Sequence, residues 1–321
     1  MQAVDRLSLS VAPGEVLGIV GESGSGKTVS MMALMRLIRD PNAVIEGTVL
    51  HRGRDLMALS GPEMRSVRGR DIAMIFQDPM TALTPVYTVG WQIAEQLRAH
   101  NAMSRRQAGD RTVELLAEVG IPNARRRADD YPHQFSGGMR QRVMIAMALS
   151  CNPSLLIADE PTTALDVTIQ AQILELMKRL RREHGSSIIL ITHDMGVVAD
   201  LAERVAVMYA GRIVEEAPKA QLFRDPQHPY TWGLLGSMPR VDRPRLRRLA
   251  AIPGSPPSLL SPPAGCRFEP RCPHRFDRCA TRPELLERVS SGRKDACHLD
   301  PEVRPALRQA SLGAGERRES A

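Results

Sequence analysis

The sequence predicts an α/β fold with a mostly parallel sheet core, an inserted α-helical subdomain and a small, irregular, cysteine-rich C-terminal extension. Short, continuously apolar segments, typical of buried parallel strands, alternate with segments of helical periodicity. A long stretch in the middle of the chain is mainly helical and breaks this alternation. After about Pro226, prolines accumulate and periodicity fades, which indicates a segment with little core of its own.

The first elements surround a glycine-rich loop. Leu7 to Val11 alternates apolar and polar residues, and Val16 to Val20 is continuously apolar, so both are predicted strands. Helical spacing predicts a helix from Thr28 to Arg39, ended by Asp40 and Pro41. Ile45 to Leu50 is another predicted strand.

The later elements divide the chain into five segments. Predicted strands cover 72–76, 155–158 and 188–191, and predicted helices cover 89–99, 111–119, 138–149 and 167–182. The resulting division is 1–78 for the first part of the core, 79–150 for the helical subdomain, 151–225 for the second part of the core, 226–308 for the extension and 309–321 for a flexible tail.

Composition is that of an ordinary globular chain. It has 321 residues, of which 43% are hydrophobic, and no apolar run approaches the ~18 residues of a membrane-spanning helix. The first ten residues lack the pattern of a secretory signal, so we expect neither a membrane-spanning nor a secreted protein. The net charge of +7 lies entirely in the segment from Arg240 to Ala321, and aromatic residues are only 3%, which disfavours nucleic acid as a partner.

The glycine-rich loop matches the phosphate-binding pattern G-x-x-x-x-G-K-[ST] in every fixed position. It lies between a predicted strand and a predicted helix, the context in which such a loop wraps phosphates with backbone N–H groups. Lys27 would reach the β- and γ-phosphates, and Thr28 would bind Mg²⁺. The sequence therefore predicts a nucleoside triphosphate site formed by Gly21, Glu22, Ser23, Gly24, Ser25, Gly26, Lys27 and Thr28.

A second acidic motif follows a buried strand. The apolar segment Leu155 to Ala158 delivers Asp159 to its carboxyl end, where the side chain could hold Mg²⁺ directly or through water. Glu160 comes next and could orient or deprotonate the attacking water. Alone this pattern is common, but together with the Lys27 loop it predicts an NTPase.

The segment Phe135 to Arg142 adds another anion-binding feature. Ser136, Gly137 and Gly138 combine a hydroxyl, free amides and a helix start. One triphosphate needs only one loop of the Lys27 kind, so we expect this second cradle to grip the γ-phosphate bound by a partner chain. Up to this point a kinase, a GTPase and a DNA-dependent motor all remain possible.

The octet from Phe135 to Arg142, including Met139, resembles the signature sequence of ABC ATPases, and further motifs follow in that family's order. Gln77 resembles the Q-loop glutamine, which contacts the metal and the nucleophilic water and reports to the membrane partner. Ala164-Leu165-Asp166 resembles the D-loop, which crosses the dimer interface. His193 resembles the switch histidine, which contacts the γ-phosphate.

Within that family the chain resembles the ATPases of dipeptide and oligopeptide importers. The matching segments are Phe76 to Pro85, Tyr131 to Met139, Glu160 to Thr168 and His228 to Thr231. The resemblance implies an ATP- and Mg²⁺-dependent ATPase on the cytoplasmic face of the cell membrane. Its implied partners are a second, related but different ATPase chain, two membrane permease subunits and, indirectly, a solute-binding protein.

Other functions stay open at this level. The solute could be nickel, glutathione or another small peptide-like compound, or the chain could be a non-transport ABC ATPase or a small-molecule kinase. The sequence also departs from the family in two ways. No aromatic residue to stack on adenine precedes Gly21, so we expect the true start codon to lie upstream. Phe135 and Met139 replace the leucine and glutamine of the wider family.

Four of the five cysteines lie in the extension, at Cys266, Cys272, Cys279 and Cys297. Their spacing contains no C-x-x-C pair and so does not fit common zinc ribbons. Four thiolates suffice for a [4Fe–4S] cluster or for Zn²⁺. The resemblance to importer ATPases with a cysteine-rich extension implies the iron–sulfur cluster, with zinc or free thiols as alternatives. His274 and His298 would be bystanders or substitute ligands, and Cys151 an ordinary buried thiol.

Overall fold

The computed structural model describes residues 1–163, 165–238, 252–287 and 292–317, with backbone alone from residue 312 on. Within these ranges the chain forms ten strands, twelve α-helices and three 3₁₀ turns. The strands are β1 (Val16–Val20), β2 (Leu50–His51), β3 (Arg54–Asp55), β4 (Ile72–Ile75), β5 (Leu155–Asp159), β6 (Ser187–Thr192), β7 (Arg204–Tyr209), β8 (Arg212–Pro218), β9 (Leu286–Glu287) and β10 (Lys294–Asp295). The helices are α1 (Lys27–Leu34), α2 (Gly61–Val67), α3 (Pro79–Ala82), α4 (Val89–His100), α5 (Arg105–Glu118), α6 (Ala124–Arg127), α7 (Gly137–Leu149), α8 (Val167–His184), α9 (Met195–Leu201), α10 (Lys219–Arg224), α11 (Pro229–Gly236) and α12 (Arg304–Arg317).

The chain divides into two compact units, each made of separate stretches of sequence. Unit 1 contains Met1–Ser10, Leu17–Ser30 and the described residues from Thr192 on, and unit 2 contains Val11–Val16 and Met31–Ile191.

Unit 2 is built on parallel strands. β5 lies between β4 and β6 and pairs with both in parallel, with Ala158 beside Ile75 and Asp159 beside Ile191. The side chains of β4 and β6 are buried throughout, which explains the apolar sequence of β4 and of residues 188–191 in β6. This confirms the predicted parallel core, and the parallel register carries Asp159 to the carboxyl end of the sheet.

The helical part of unit 2 runs from α3 to α7, between β4 and β5, as the sequence predicts. Side-chain caps define where its helices begin: the hydroxyl oxygens of Thr88, Ser104 and Ser136 accept backbone N–H groups at the starts of α4, α5 and α7. Buried apolar residues such as Ile93, Leu116 and Val143 form the core of this part.

Unit 1 mixes strand directions. The residues of β1 that belong to unit 1 pair in parallel with β7. The strands β7, β8, β10 and β9 lie side by side in that order, and each is antiparallel to the next. The tight turn between β7 and β8 contains Ala210 and Gly211, both with positive φ. Sequence patterning did not predict these antiparallel strands, since β9 and β10 have two residues each and β8 carries the buried acids Glu215 and Glu216.

Four sequence predictions differ from the structure, the first being the helix predicted from Thr28 to Arg39, which ends at Leu34. Leu7 to Val11, all described, forms no strand, and the carbonyl oxygen of Ser10 accepts from the side chain of Arg204 where a strand would accept from a neighbouring backbone. Of the predicted strand from Ile45 to Leu50, only Leu50 belongs to one, β2. The segment beginning at 309 is helical as far as Arg317 in α12, and residues 318–321 lie outside the described part.

The start of α12 has firm anchors. Arg304 is almost fully buried and pairs with Asp295 at 3.0 Å, and Arg308 binds Asp225. The hydroxyl of Ser311 lies 2.9 Å from Nε2 of His274. Polar anchors of this kind leave no apolar periodicity in the sequence, which explains why the helix was not predicted.

Candidate functional site

The predicted phosphate loop lies in unit 1 between the end of β1 and the start of α1. Gly24 and Gly26 have positive φ values of 76° and 98°, which L-residues rarely adopt. A Cβ atom at Gly26 would lie 2.6 Å from the carbonyl oxygen of Ala3, and one at Gly21 would lie 2.1 Å from that of Met208. The glycines are therefore required both by backbone conformation and by close packing.

Lys27 is folded back into this loop. Its side chain is buried, and Nζ donates to the carbonyl oxygens of Gly21 at 2.8 Å and Glu22 at 3.0 Å. The loop therefore holds a buried ammonium group at the start of a helix, where anions are favoured. Thr28 follows it and is half-buried.

Unit 2 brings Gln77 and Glu160 together. Nε2 of Gln77 donates to Oε2 of Glu160 at 3.2 Å, and the same oxygen accepts from Oγ1 of Thr163 at 2.8 Å. Asp159 is buried at the end of β5, immediately before Glu160. The carboxylate of Glu160 is thus held by two donors, in a position where it can accept a proton from water.

The backbone at Glu160 is unusual. Its φ of 46° is left-handed, although the residue has a side chain, and its N–H donates to Ile191 at 2.8 Å. Such conformations cost free energy and are found preferentially at functional sites. The turn re-aims the chain directly after β5, so that Asp159 remains buried while Glu160 is partly exposed.

The Ser136 turn has an accessible face. Oγ of Ser136 accepts the N–H of Met139 at 3.3 Å, and an accepting hydroxyl keeps its own hydrogen for donation. A Cβ atom at Gly138 would come within 2.7 Å of Ile169, so that glycine serves the packing of α7 on α8. A Cβ atom at Gly137 would meet nothing within 4 Å, so Gly137 leaves the helix start open to approach from outside.

The remaining predicted motif residues fall in different places. Asp166, the last residue of the predicted D-loop, caps α8 by accepting the N–H of Ile169 at 3.0 Å, whereas Ala164 lies outside the described residues. His193 is exposed in unit 1, directly after β6 and before the cap of α9. Among the predicted site residues of unit 2, the structure brings Gln77 and Glu160 into direct contact.

The four extension cysteines are free thiols in unit 1, and Cys279 and Cys297 are buried. Burial raises the pKa of Cys272 to about 12 and that of Cys297 to about 11, and neighbouring cysteines contribute in the same direction. Four cysteine sulfurs suit a soft metal or an iron–sulfur cluster as a donor set, once they are deprotonated. Within the described ranges, however, no three His, Cys, Asp or Glu side chains have an arrangement that could hold a metal ion.

Sequence reasoning missed three residues that contact predicted site residues. Thr163 supports Glu160, as described above. Tyr230 accepts the backbone N–H of Glu22 at 2.8 Å, and Arg271 forms an ion pair with the Glu22 carboxylate. The position of Arg271 beside Cys272 was the available signal, but nothing in the pattern indicates contact with a loop some 250 residues away in sequence.

A glycine loop closed around a buried lysine at a helix start is the construction of P-loop nucleotide-binding proteins. Comparison with known families agrees: the ABC transporter model matches residues 4–163, and the model of the oligopeptide/dipeptide transporter C-terminal region matches residues 214–279. The chain belongs to the ABC transporter family and is one of its ATP-hydrolysing cassettes. It also carries the C-terminal region that distinguishes the oligopeptide/dipeptide group.

Curated relatives are similar over most of their length. The dipeptide transport ATP-binding protein DppD of Escherichia coli is 50% identical over 308 residues, which cover 95% of this chain and 94% of the relative. The oligopeptide transport ATP-binding protein OppD of Bacillus subtilis is 57% identical over 269 residues, covering 84% and 75% respectively.

Solved structures share the fold. The ATP-binding cassette MJ0796, in a dimeric post-hydrolysis state bound to ADP and phosphate, has a TM-score of 0.60 at 31% identity and covers 68% of this chain and 90% of its own. CbiO1 of Clostridium perfringens, part of the CbiONQ transporter complex, has a TM-score of 0.59 at 26% identity, covering 70% and 84%. In the part of the chain that the structure describes, no helix combines the length and apolarity needed to span a bilayer.

Proposed function

We propose that this chain hydrolyses ATP to drive the import of dipeptides or oligopeptides, working on the cytoplasmic face of the cell membrane. The observation that carries the proposal is the match of residues 214–279 to the oligopeptide/dipeptide transporter region, in a chain that also holds the phosphate loop. The names of the relatives from Escherichia coli and Bacillus subtilis support the same solute class.

The site residues take separate roles in this proposal. The loop from Gly21 to Thr28 binds the triphosphate, with Lys27 neutralising the β- and γ-phosphates. Mg²⁺, when bound, neutralises charge on the phosphate oxygens, and Thr28, Asp159 and Gln77 would hold it. Glu160 accepts the proton of the attacking water, for which its hydrogen bonds from Gln77 and Thr163 orient it. His193 contacts the γ-phosphate.

Two cassettes complete each nucleotide site. In the proposal, ATP bound by the Lys27 loop of one chain is covered by Ser136, Gly137, Gly138 and Met139 of the other, and Asp166 lies near their interface. The open face at Gly137 and the exposed hydroxyl of Ser136 support this arrangement. The dimeric state of MJ0796 is a precedent within the fold. The second cassette would be a related but different chain.

The permease subunits would dock on unit 2, beside Gln77. The rings of Tyr87 and Trp91 stack with centroids 4.1 Å apart while each side chain remains nearly half exposed, and Met80 and Val86 are exposed nearby in the chain. Exposed apolar side chains grouped in this way are typical of an interaction surface. Because the segment begins directly after Gln77, contact here can report to Glu160.

Trp91→Ala tests this docking surface. The variant should lose most of its co-purification with the permease subunits while its ATP affinity is unchanged. Leu260→Ala is the matched control, since Leu260 is an exposed apolar residue of unit 1. Equal recovery of the permeases with both variants would show that the Tyr87–Trp91 surface is not the docking site.

For the extension we propose a [4Fe–4S] cluster held by Cys266, Cys272, Cys279 and Cys297, with zinc as the alternative occupant. The support is the donor set itself: four free thiols of one segment, with the pKa values of Cys266, Cys272 and Cys297 raised by burial and by neighbouring cysteines. The cluster would crosslink a segment that has little apolar core.

Reconstitution of the complete transport complex tests the proposed function. The chain, its partner cassette and the permeases are placed in proteoliposomes with the solute-binding protein, and ATP hydrolysis is measured with dipeptides, oligopeptides, nickel or glutathione as solute. Stimulation and uptake with peptides alone support the proposal. Stimulation by nickel or glutathione but not by peptides would show that the transported solute is not a peptide. A rate of ATP hydrolysis that does not change when the permeases are present would exclude a role in transport.

A further inference from the structure

The cysteine-bearing extension is directly bonded to the phosphate loop within unit 1. Nη1 of Arg271 donates to Oε2 of Glu22 at 2.6 Å, and Nη2 donates to Oε1 at 3.0 Å. Glu22 is the second residue of the loop, and Arg271 immediately precedes Cys272. A bidentate arginine–carboxylate pair fixes direction as well as distance, so the position of this loop residue depends on the extension.

Arg271 is itself held rigidly. Besides its two bonds to Glu22, it donates to the carbonyl oxygens of Pro253 at 2.8 Å and Ile252 at 3.3 Å, and to the hydroxyl of Tyr209 at 3.3 Å. These acceptors use all five N–H donors of the guanidinium group. The side chain is only 5% exposed, compared with 26% for Glu22. Because the side chain is fixed in this way, a displacement of the Arg271 backbone would also displace Glu22.

A second contact holds the backbone of the same residue. The N–H of Glu22 donates to the hydroxyl of Tyr230, which is fully buried. The Tyr230 ring packs against Tyr209 and against Phe268, with centroids 4.5 and 5.4 Å away. Phe268 lies between Cys266 and Cys272 in the sequence, so this contact also originates in the cysteine segment.

A parallel connection begins beside Cys266, the preceding cysteine of the segment. Arg267, which follows Cys266, is buried and donates to the carbonyl oxygen of Ala210. The following residue, Gly211, donates its N–H to the carbonyl oxygen of Ser25 at 2.8 Å. Hydrogen bonds that start at these two arginines therefore lead to two residues of one loop, directly to Glu22 from Arg271 and by way of the turn at Ala210 and Gly211 to Ser25 from Arg267.

We propose that Arg271 is a positioning residue that couples the segment carrying the four cysteines to nucleotide binding. It fixes Glu22, and with it the loop closed around Lys27, so that a change in the state of the thiols changes affinity for ATP. Reciprocity of coupling requires that bound ATP also shift the equilibrium between the states of the thiols, and a shift that changes their accessibility changes the rate of their modification. The proposal rests on the assignment of the 21–28 loop as the ATP site and adds to that assignment a means of regulation.

The first measurement is ATP affinity of the full-length chain, followed with a fluorescent ATP analogue. Arg271→Met should raise the Kd roughly 5- to 100-fold, the range of common site-to-site couplings. Arg275→Met is the matched control, because Arg275 is on the same segment, is 64% exposed and pairs with Glu269 only at 3.7 Å. Its Kd should stay within about twofold of the wild type, as expected for an exposed ion pair.

Glu22→Gln is a second variant, which keeps the proposal testable if Arg271→Met does not fold. It retains Arg271 with its acceptors at Pro253, Ile252 and Tyr209, and removes only the charge that the arginine grips. The double variant Glu22→Gln/Arg271→Met should bind ATP about as weakly as the weaker single variant, since both remove one interaction. Additive losses, or an unchanged Kd in Glu22→Gln, would overturn the proposal.

The second measurement is one that a purely structural role would not alter. In a Cys151→Ser background, the rate at which a maleimide modifies the remaining cysteines is measured with and without saturating MgATP. ATP should slow or accelerate modification in the wild type and in Arg271→Lys, and should have no effect in Arg271→Met. An ATP effect of equal size in Arg271→Met would refute the coupling.

Lys27→Ala separates the two levels of inference. If Lys27→Ala binds ATP normally, the assignment of the loop fails and with it the proposed function. If Lys27→Ala loses binding while Arg271→Met and Glu22→Gln bind as the wild type does, the loop assignment stands and the coupling alone is wrong.

Discussion

Substitution of Glu160 by Gln removes the proposed catalytic base with little other change. The glutamine has the same length and keeps an oxygen that can accept the 2.8 Å hydrogen bond from Thr163. It cannot take a proton from water at neutral pH, so the general-base contribution is lost. Such contributions amount to about 10²- to 10⁴-fold in rate, or about 2.7 to 5.4 kcal/mol of activation free energy.

The assay is phosphate release at saturating MgATP by the reconstituted complex, accompanied by measurement of ATP affinity. We expect Glu160→Gln to reduce kcat 10²- to 10⁴-fold, to leave the Kd for ATP near the wild-type value, and to accumulate a closed, ATP-bound dimer. Glu175→Gln is the control, since the same chemical change on α8 affects only exposed ion pairs longer than 3.6 Å. Unimpaired turnover in Glu160→Gln would refute the assignment of the base.

Three further predictions concern the phosphate loop, the cysteine-bearing extension and a buried histidine. Lys27→Ala should abolish detectable ATP binding, because it removes the buried ammonium group of the loop; calorimetry showing wild-type affinity would contradict this. Cys266→Ser should lose iron and brown colour while Lys27-dependent nucleotide binding stays measurable; stoichiometric iron in the variant would exclude Cys266 as a ligand. Burial lowers the pKa of His228 from its ordinary value of 6.5 to about 3. As the pH drops from about 6.5 towards 3, His228 therefore takes up a proton in the unfolded chain and not in the folded one, so the free energy of unfolding should fall. His228→Asn, which can still cap α11, should flatten this fall by about 1.4 kcal/mol per pH unit in chemical denaturation; an unchanged slope would show that His228 is not responsible.

The parts of the fold that were predictable are those whose burial is apolar and periodic. β4 and the central residues of β5 and β6 are apolar and buried, α4 and α8 bury regular apolar stripes, and α7 is buried along most of its length. Their order along the chain, with helices between parallel strands, predicted the core directly. The phosphate loop was equally predictable, because its glycines are demanded by local backbone conformation.

The parts that were missed depend on partners far away in sequence. β8 holds Glu215 and Glu216 in its interior: backbone N–H groups of Gln227 and His228 donate to Glu215, and Arg204 pairs with Glu216. Burial nevertheless raises the pKa of Glu215 to about 7, which shows how poorly its carboxylate suits the interior. A strand with two adjacent acids has no apolar alternation, so only the folded chain reveals it.

The same reasoning explains the site residues. Gln77 and Glu160 were assigned separately, and their hydrogen bond joins the turns that follow two neighbouring parallel strands, β4 and β5. Thr163 needs only the turn after Glu160 to reach it, yet a threonine three residues after an acid is too common to be informative. Contacts of Arg271 with Glu22 depend on tertiary structure alone.

Several arginines of the C-terminal region have a structural role. An extension rich in proline buries too little apolar surface to offset its conformational entropy, so polar links must hold it. Arg267 and Arg304 are nearly fully buried and pair with Asp5 and Asp295 at 3.0 Å. A buried charge paired in this way is costly to strip of its partner, which makes each link sensitive to a single substitution. The arginines that attach the extension are therefore committed to internal acids, and one of those acids, Glu22, belongs to the nucleotide loop. An extension fastened in this way cannot change its own structure without the loop being affected, whatever the cysteines hold.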